Sequence, residues 1–167
     1  LGLRKGDKVA ILTENVPAIV ELNYACAKAG IVFFPVMSRL QPPDIEYLVD
    51  LSDAAALFYH PDFAPAVEGM RPRLGKVAHY VQIGGDLPPD TLDYEGFLQG
   101  GSDDEPAVEV LPDDVYCFLC TGGTTGVSKL AMGTHLNALC AIYTTISALG
   151  IRPDDVGIQV LPLFHVI

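Results

Sequence analysis

The amino-acid sequence predicts an α/β fold, a layered β-sheet with flanking helices, and three observations support that class. Short apolar runs rich in β-branched and aromatic residues alternate with segments whose apolar residues recur at helical spacing. The first strand–helix–strand unit takes about 30 residues, the length of a parallel strand pair with a crossover helix. Half of the 167 residues are hydrophobic and 19% are charged, which is typical of a globular domain.

The first unit begins with a strand over Lys8–Thr13, and a helix follows it. Asn15 suits the N-cap of this helix, Pro17 suits its first turn, and Gly30 suits its C-terminal end. A continuous apolar run over Ile31–Val36 then predicts a strand that is buried on both faces of the sheet. The unit therefore predicts two parallel strands joined by a helix.

The same unit also allows core residues to be predicted. The apolar residues that recur at helical spacing are Val16, Ile19, Val20, Tyr24 and Ala27. We therefore expect Tyr24 to lie in the core, together with Phe33 and Phe34 of the following strand.

The alternation of strands and helices continues through the middle of the chain. It predicts, in order, a helix over 42–52, a strand over 55–59, an interrupted helix over 63–74 and a strand over 77–83. Prolines, glycines and acidic residues are frequent over 86–114, which predicts a surface stretch with one short helix near Leu92–Leu98.

The last third begins with a strand over Val115–Cys120, followed by a polar loop and a second short strand over Leu130–Thr134. Thr134 suits the N-cap of a helix over His135–Leu149, which Gly150 ends. The apolar run Val156–Leu161 predicts a final strand.

Charge and hydropathy exclude several classes of partner. Lys and Arg total 10 while Asp and Glu total 21, so the formal net charge is −11. Nucleic acid and anionic membranes both require clustered cations, so we expect neither as a partner. No apolar run approaches the roughly 20 residues that span a bilayer, so we expect no transmembrane segment.

The four cysteines are too few for a disulfide scaffold. Cys26, Cys117 and Cys140 have apolar neighbours in the sequence, which predicts reduced, buried thiols and a cytoplasmic location. Cys117 and Cys120 form a C-x-x-C pattern, but residues three apart in a strand face opposite sides. Core thiols are therefore favoured over a zinc or redox site.

The loop between the last two predicted strands has the composition of a phosphate-binding site. Its glycines allow backbone N–H groups to turn inward, its hydroxyls add donors, and Lys129 supplies a positive charge. Lys129 is the only formally charged residue from Val115 to Ile151, as expected where a polyanion must avoid carboxylates. The glycines are Gly122, Gly123 and Gly126, and the hydroxyls are those of Thr121, Thr124, Thr125 and Ser128.

Three other interpretations of this loop are less favoured. A simple hairpin turn needs about two to five residues and one or two glycines, not a long row of donors that ends in a lysine. The loop lacks the G-K-[ST] tripeptide of a Walker A motif. It also lacks the first glycine of G-x-G-x-x-G, because Thr121 stands there.

The loop and three further segments resemble the adenylate-forming superfamily, which includes acyl-CoA synthetases, luciferases and nonribosomal peptide adenylation domains. The loop 121–129, followed by Thr134-His135, resembles the nucleotide loop of the acyl-CoA synthetases. Leu161-Pro162-Leu163-Phe164-His165 resembles the family's next motif, an aromatic–histidine pair at the acyl pocket. The opening residues 1–12 and the segment 28–40 resemble the start of the same domain, so the resemblance covers nearly the whole chain.

The resemblance implies ATP-dependent activation of a carboxylic acid to an acyl-adenylate, followed by transfer to coenzyme A, with Mg²⁺ as a further cofactor. It implies that His165 is the catalytic residue near the substrate carboxylate. It also implies that the β- and γ-phosphates of the nucleotide are held by Thr121, Gly122, Gly123, Thr124, Thr125, Gly126 and Lys129. Gly122 replaces a more usual serine, a variation of fatty-acyl members that favours a fatty acid. Ser128 replaces a more usual proline and Leu130 a more usual glycine.

Two alternatives stay open at this point. One is an amino-acid or aryl-acid adenylation domain that serves a carrier protein, and the other is a non-catalytic fragment that binds nucleotide. The chain begins without methionine and stops inside an apolar run, so we expect a single partial domain over 1–167, truncated at both ends and without the C-terminal lid domain. We therefore expect the isolated chain to form no adenylate.

Overall fold

The computed structural model describes residues 1–121 and 128–165. Seven strands are found in this part of the chain. They are β1 (Lys8–Leu12), β2 (Val32–Pro35), β3 (Ala54–Tyr59), β4 (His79–Gln82), β5 (Leu92–Asp93), β6 (Val115–Thr121) and β7 (Lys129–Thr134). The α-helices are α1 (Pro17–Ala29), α2 (Pro42–Leu51), α3 (Ala64–Met70), α4 (Tyr94–Gln99) and α5 (His135–Leu149). Short 3-10 turns flank α3 at Pro61–Phe63 and Arg71–Arg73.

The strands form one mixed sheet in the order β5-β4-β3-β1-β2-β6-β7. All neighbouring pairs from β5 to β6 are parallel, and β7 alone among the described strands runs antiparallel, as the hairpin partner of β6. The α/β class and the parallel β1–α1–β2 unit predicted from the sequence are therefore confirmed. The hairpin brings the predicted phosphate loop to the carboxyl end of β6.

Each face of the sheet has its own hydrophobic core. Helices α2 and α3 cover one face, over Leu12 and Phe34, and α1 and α4 cover the other, over Ile11 and Phe33. Successive side chains of a strand point to opposite faces, so a central strand must be apolar at every position. This double burial explains the continuous apolar run that predicted β2, and it confirms Phe33 and Phe34 as core residues.

Helix α1 corrects two predictions. Its N-cap is Val16, in extended conformation, with Pro17 as the first helical residue, so Asn15 lies one residue too early to cap the helix. The buried side consists of Ala18, Ile19, Leu22 and Cys26. Tyr24, predicted in the core, is 67% exposed because it lies five residues after Ile19, roughly 140° around the helix axis.

Helix α5 begins and ends where the sequence predicted. The Thr134 hydroxyl accepts a hydrogen bond from the Asn137 amide, while the Asn137 side chain accepts one from the Thr134 amide, which completes a capping box. Gly150 ends the helix in the left-handed conformation, with φ of 64°. None of the helix residues is buried by the described part of the chain.

The predicted strand over Val156–Leu161 is wrong. Residues 156–160 have no regular secondary structure, and the side chains of Val156 and Ile158 are 97% and 88% exposed. A strand needs a neighbour that pairs with its backbone groups, and none of the seven described strands lies beside this segment. Helices long and apolar enough to cross a bilayer are also absent from the described residues.

Three glycine-to-alanine substitutions separate backbone strain from steric contact. Gly30 has φ of 65°, and an added Cβ would lie 2.9 Å from Cγ of Lys5, whose ammonium group is 2.6 Å from Asp114. Gly30→Ala should therefore lower the free energy of unfolding by more than about 1 kcal/mol. Gly150→Ala, with φ of 64° and open space, should cost about 1 kcal/mol.

Gly69 is the matched control, because it lies in α3 with open space and ordinary helical backbone. Gly69→Ala should raise stability by up to about 1 kcal/mol. Urea unfolding of the 167-residue chain measures all three values. Equal effects of Gly30→Ala and Gly69→Ala would contradict the assignment of the αL cap.

Candidate functional site

The candidate site lies at the carboxyl edge of the parallel strands. Strands β1, β2 and β6 are neighbours and run in the same direction, so the residues that follow them meet at one edge of the sheet. Ligands in open α/β sheets bind outside this edge, in the crevice between neighbouring loops. Glu14 and Ser38, which follow β1 and β2, are joined there by a hydrogen bond of 2.7 Å.

The β6–β7 hairpin places Thr121 and Lys129 at the same edge. The two residues are opposite each other in the antiparallel ladder, and the Thr121 hydroxyl donates to the Lys129 carbonyl oxygen over 3.2 Å. Both residues are exposed, and Lys129 forms no ion pair with the residues that the structure describes. A lysine at the base of a loop and free of carboxylate partners can bind an anion.

The other residues predicted for the phosphate site, Gly122, Gly123, Thr124, Thr125 and Gly126, lie outside the described residues. What the structure establishes is where the loop is attached. Its ends are the paired residues Thr121 and Lys129, at the carboxyl end of a strand that pairs with β2.

Strand alternation shows which face of the sheet these residues share. Cys120 and Leu130 pack against the core under α2 and α3, whereas Cys117 and Leu119 belong to the opposite core. Thr121 continues the series of Cys117 and Leu119, and Lys129 is its cross-strand partner, so both follow the face of α1 and α4. The predicted divergence of the two C-x-x-C sulfurs is confirmed.

A cleft of about 280 Å³ opens on this same face. Its floor is apolar and is formed by β2 and β6, with Phe33, Cys117 and Leu119. One wall is α5, through Asn137, Ala138 and Ala141, and another is the turn that contains Leu163 and His165. The cleft therefore combines a hydrophobic floor with polar groups at its rim, as small-molecule sites commonly do.

Polar side chains from α1 and β6 meet at the rim of this cleft. The Tyr116 hydroxyl donates to Oδ1 of Asn23 over 2.5 Å, and burial raises the pKa of that hydroxyl. The Tyr116 ring lies 5.2 Å from the ring of His135, centroid to centroid. His135 is not among the cleft-lining residues, and its buried Nε2 lacks a hydrogen-bond partner among the described residues.

Asn15 connects the end of β1 to the turn that contains His165. Its side-chain amide donates to the Leu161 carbonyl over 2.9 Å and accepts from the Leu163 amide over 2.8 Å. The turn is closed by the His165 amide, which donates to the Pro162 carbonyl over 3.1 Å, and Phe164 is buried. The structure thus brings the predicted catalytic His165 into the wall of the cleft.

Metal ligands are not evident in this part of the structure. Among residues 1–121 and 128–165, no group of three or more His, Cys, Asp or Glu side chains could hold a metal ion. The carboxylates of Asp114 and Asp155, which follow Pro112 and Pro153, accept hydrogen bonds from backbone amides in turns instead. Asp114 accepts from the Leu111 amide over 2.6 Å, and Asp155 accepts from the Arg152 amide over 2.8 Å.

Comparison with known proteins identifies the family. The model of the AMP-binding enzyme family matches residues 1–167, and the chain belongs to that family. Long-chain-fatty-acid–CoA ligase FadD13 of Mycobacterium tuberculosis (strain ATCC 25618 / H37Rv) is 32% identical over 99% of this chain and 32% of its own length. Feruloyl-CoA synthase of an Amycolatopsis species is 32% identical over 98% of the chain and 30% of its own. The chain spans about a third of these relatives.

Solved structures agree with this assignment. The inhibitor-bound N-terminal domain of FACL13 from Mycobacterium tuberculosis superposes with a TM-score of 0.88 at 32% identity, over 98% of this chain and 40% of that one. ATP-bound MatB from Rhodopseudomonas palustris superposes with a TM-score of 0.82 at 27% identity, over 98% of this chain and 32% of that one. The fold is therefore that of the N-terminal part of an adenylate-forming enzyme.

Sequence reasoning missed two features of the site. Asn15 was interpreted as a helix cap, and the pairing of Asn23 with Tyr116 spans 93 positions in the chain. A polar residue directly after a buried strand was the available signal for Asn15, because such positions lie at the ligand edge of a parallel sheet. For Asn23, in the middle of an amphipathic helix, the sequence contains no comparable signal.

Thiol reactivity tests the assigned burial of the cysteines. Cys140 was predicted to be buried but is exposed on α5, whereas Cys26 is buried, which raises the pKa of its thiol to about 12. At pH 8 the thiolate, which is the reactive form, is therefore scarce at Cys26. We expect maleimide to modify Cys140 first in the folded 167-residue chain, and Cys26 only after denaturation.

The readout is mass spectrometry of peptides after timed labelling. Cys140→Ser should remove the fast phase, while Cys26→Ser should leave it intact. Labelling of Cys26 at the rate of Cys140 in the folded chain would contradict the burial of α1 against the sheet.

Proposed function

We propose that this chain forms the phosphate-binding and acid-facing part of an ATP-dependent acid–thiol ligase. The complete enzyme would activate a carboxylic acid to an acyl-adenylate, release pyrophosphate, and transfer the acyl group to coenzyme A. The observation that supports this proposal best is the position of Lys129. It faces Thr121 across the hairpin, at the carboxyl edge of the sheet and on the face that contains the cleft.

The local chemistry is suited to the triphosphate of ATP. Lys129 is the only formal charge between Val115 and Ile151, in a chain of net charge −11. An ammonium group that forms no ion pair with the described residues is available to bind an incoming anion. We propose that Lys129 and the Thr121 hydroxyl, with loop residues Gly122, Gly123, Thr124, Thr125 and Gly126, hold the β- and γ-phosphates. ATP-bound MatB is a relative in which the nucleotide has been observed.

We place the acid in the cleft beside His165. Its floor of Phe33, Cys117 and Leu119 is apolar, which suits a hydrocarbon or aromatic group, while His165 lies in the wall. A histidine at that position can donate a hydrogen bond to a carboxylate or to the oxygen anion that develops on it. Mg²⁺ would supply further neutralisation of the phosphates when bound.

The acid is a fatty acid in our first proposal, and an aryl acid is the second candidate. The loop composition, with Gly122 in place of serine, and the similarity to a long-chain-fatty-acid–CoA ligase favour the first. The equal identity to feruloyl-CoA synthase favours the second. Pyrophosphate exchange by the complete enzyme with fatty, aryl and amino acids decides between them. We expect the fatty acids to support the fastest exchange.

We also propose a cytoplasmic location for the enzyme.

Lys129→Ala tests the proposed phosphate site. Because the ammonium group is exposed and forms no ion pair with described residues, its removal should leave the melting temperature unchanged. In the complete enzyme it should lower kcat/KM for ATP by about 10² or more, since a charged donor to the leaving group is lost. ATP–pyrophosphate exchange at several ATP concentrations is the measurement.

Two control variants sharpen this test. Lys129→Arg keeps the charge but changes its geometry, so an intermediate loss is expected. Lys76→Ala removes another exposed lysine, 2.6 Å from Asp53 and remote in sequence from the loop, and should leave ATP kinetics unchanged. If Lys129→Ala has the kinetics of Lys76→Ala, the lysine is not part of the site.

A further inference from the structure

Asn15 makes a bidentate contact with a segment that is 146 to 148 residues away in the chain. Its Nδ2 donates to the Leu161 carbonyl, and its Oδ1 accepts from the Leu163 amide. A single side chain thus pairs with one backbone acceptor and one backbone donor, as a neighbouring strand would. The planar amide fixes both the distance and the orientation of the turn relative to the end of β1.

Residues 156–160, which precede this turn, are exposed and do not hold the turn against the sheet. The side chains of Val156, Ile158 and Val160 are 97%, 88% and 78% exposed to solvent. Residues 161–164 are held in place, because Asn15 pairs with residues 161 and 163 and the Phe164 side chain is 5% exposed. The contact with Asn15 therefore marks the point where the chain, after the exposed residues 156–160, is attached to the end of β1.

Helix formation does not explain the presence of Asn15. The N-cap of α1 is Val16, whose side chain has no capping hydrogen bond, and both polar atoms of the Asn15 amide are directed to the turn. An alanine would satisfy the requirements of the helix, but it would leave the Leu161 carbonyl and the Leu163 amide without this partner.

We propose that Asn15 is a positioning residue, which holds the 161–165 turn so that His165 faces the acid cleft. This inference rests on the proposed role of His165 in that cleft. Positioning matters because a displacement of about 1 Å in a reacting group can cost roughly 10²-fold in rate. Since Lys129 is attached to a different element, the loss of Asn15 affects the acid side of the site and leaves the phosphate side in place.

The first experiment measures the turn itself in the 167-residue chain. Hydrogen exchange at the Leu163 amide, followed by NMR, should be accelerated at least about tenfold in Asn15→Ala, because its acceptor is lost. Asn15→Asp retains an acceptor for that amide and should keep part of the protection. Glu14→Gln, at the adjacent position and bonded to Ser38 instead, should leave the exchange of Leu163 unchanged.

The second experiment measures the function in the complete enzyme. Asn15→Ala should lower kcat/KM for the acid by about 10-fold to 10²-fold, while KM for ATP stays within about twofold. In the double variant with His165→Ala, the Asn15 substitution should add little, because both act through the same group. A purely structural role would instead lower the melting temperature and the kinetics for both substrates together.

Unchanged exchange at Leu163 in Asn15→Ala, or unchanged acid kinetics in a folded Asn15→Ala enzyme, would overturn the inference. Should Asn15→Ala fail to fold, Asn15→Asp gives the same two readouts at a smaller amplitude. The proposed function is judged separately, by Lys129→Ala. If that variant loses ATP-dependent exchange while Asn15→Ala keeps its acid kinetics, the function stands and the positioning role is wrong.

Discussion

The parallel pairing of β1, β2 and β6 is the constraint on which the candidate site depends. Parallel strands end at the same edge, and their crossover helices lie on the two faces of the sheet, so the edge stays open. Asn15 and Thr121, which are more than a hundred positions apart in the sequence, therefore lie at the same edge of the sheet, with the end of β2 between them. Strand β7 is antiparallel to β6 and therefore begins at that edge, with Lys129 as its first residue. Without this shared direction, neither the hairpin nor the 161–165 turn would face the cleft.

The distribution of charge is what favours one part of this edge for the proposed anion site. Most of the carboxylates lie elsewhere, and several neutralise cations locally, as in the pairs Lys5–Asp114, Arg73–Glu46 and Lys76–Asp53. The segment from β6 to the end of α5 contains no carboxylate, and Lys129 is its single formal charge. The proposed phosphate site is therefore compatible with an acidic chain, because the local field at a site, rather than the net charge, determines binding there.

Local signals in the sequence predicted most elements, and the errors concern long-range partners. The bounds of α5 followed from Thr134 and Gly150, because both caps are local interactions. The exposure of Tyr24 and Cys140 could not be read from neighbouring residues, since apolar neighbours do not say which face of a helix is covered. Asn15 was assigned to a local cap, although its partners lie at 161–163. For the candidate site, residue types predicted Lys129 and His165. The fold adds that His165 lies in the wall of the cleft and that Lys129 follows the same face of the sheet.

Strand β7 connects the proposed phosphate site to the cleft along the chain. It begins at Lys129, beneath the loop, and ends at Thr134, which caps α5, a wall of the cleft. The strand also packs closely on β6, because a Cβ added at Gly133 would lie 3.2 Å from Sγ of Cys117. Of the two walls of the cleft, α5 is joined to the hairpin through its Thr134 cap, and the turn that contains His165 is hydrogen-bonded to Asn15, which follows β1.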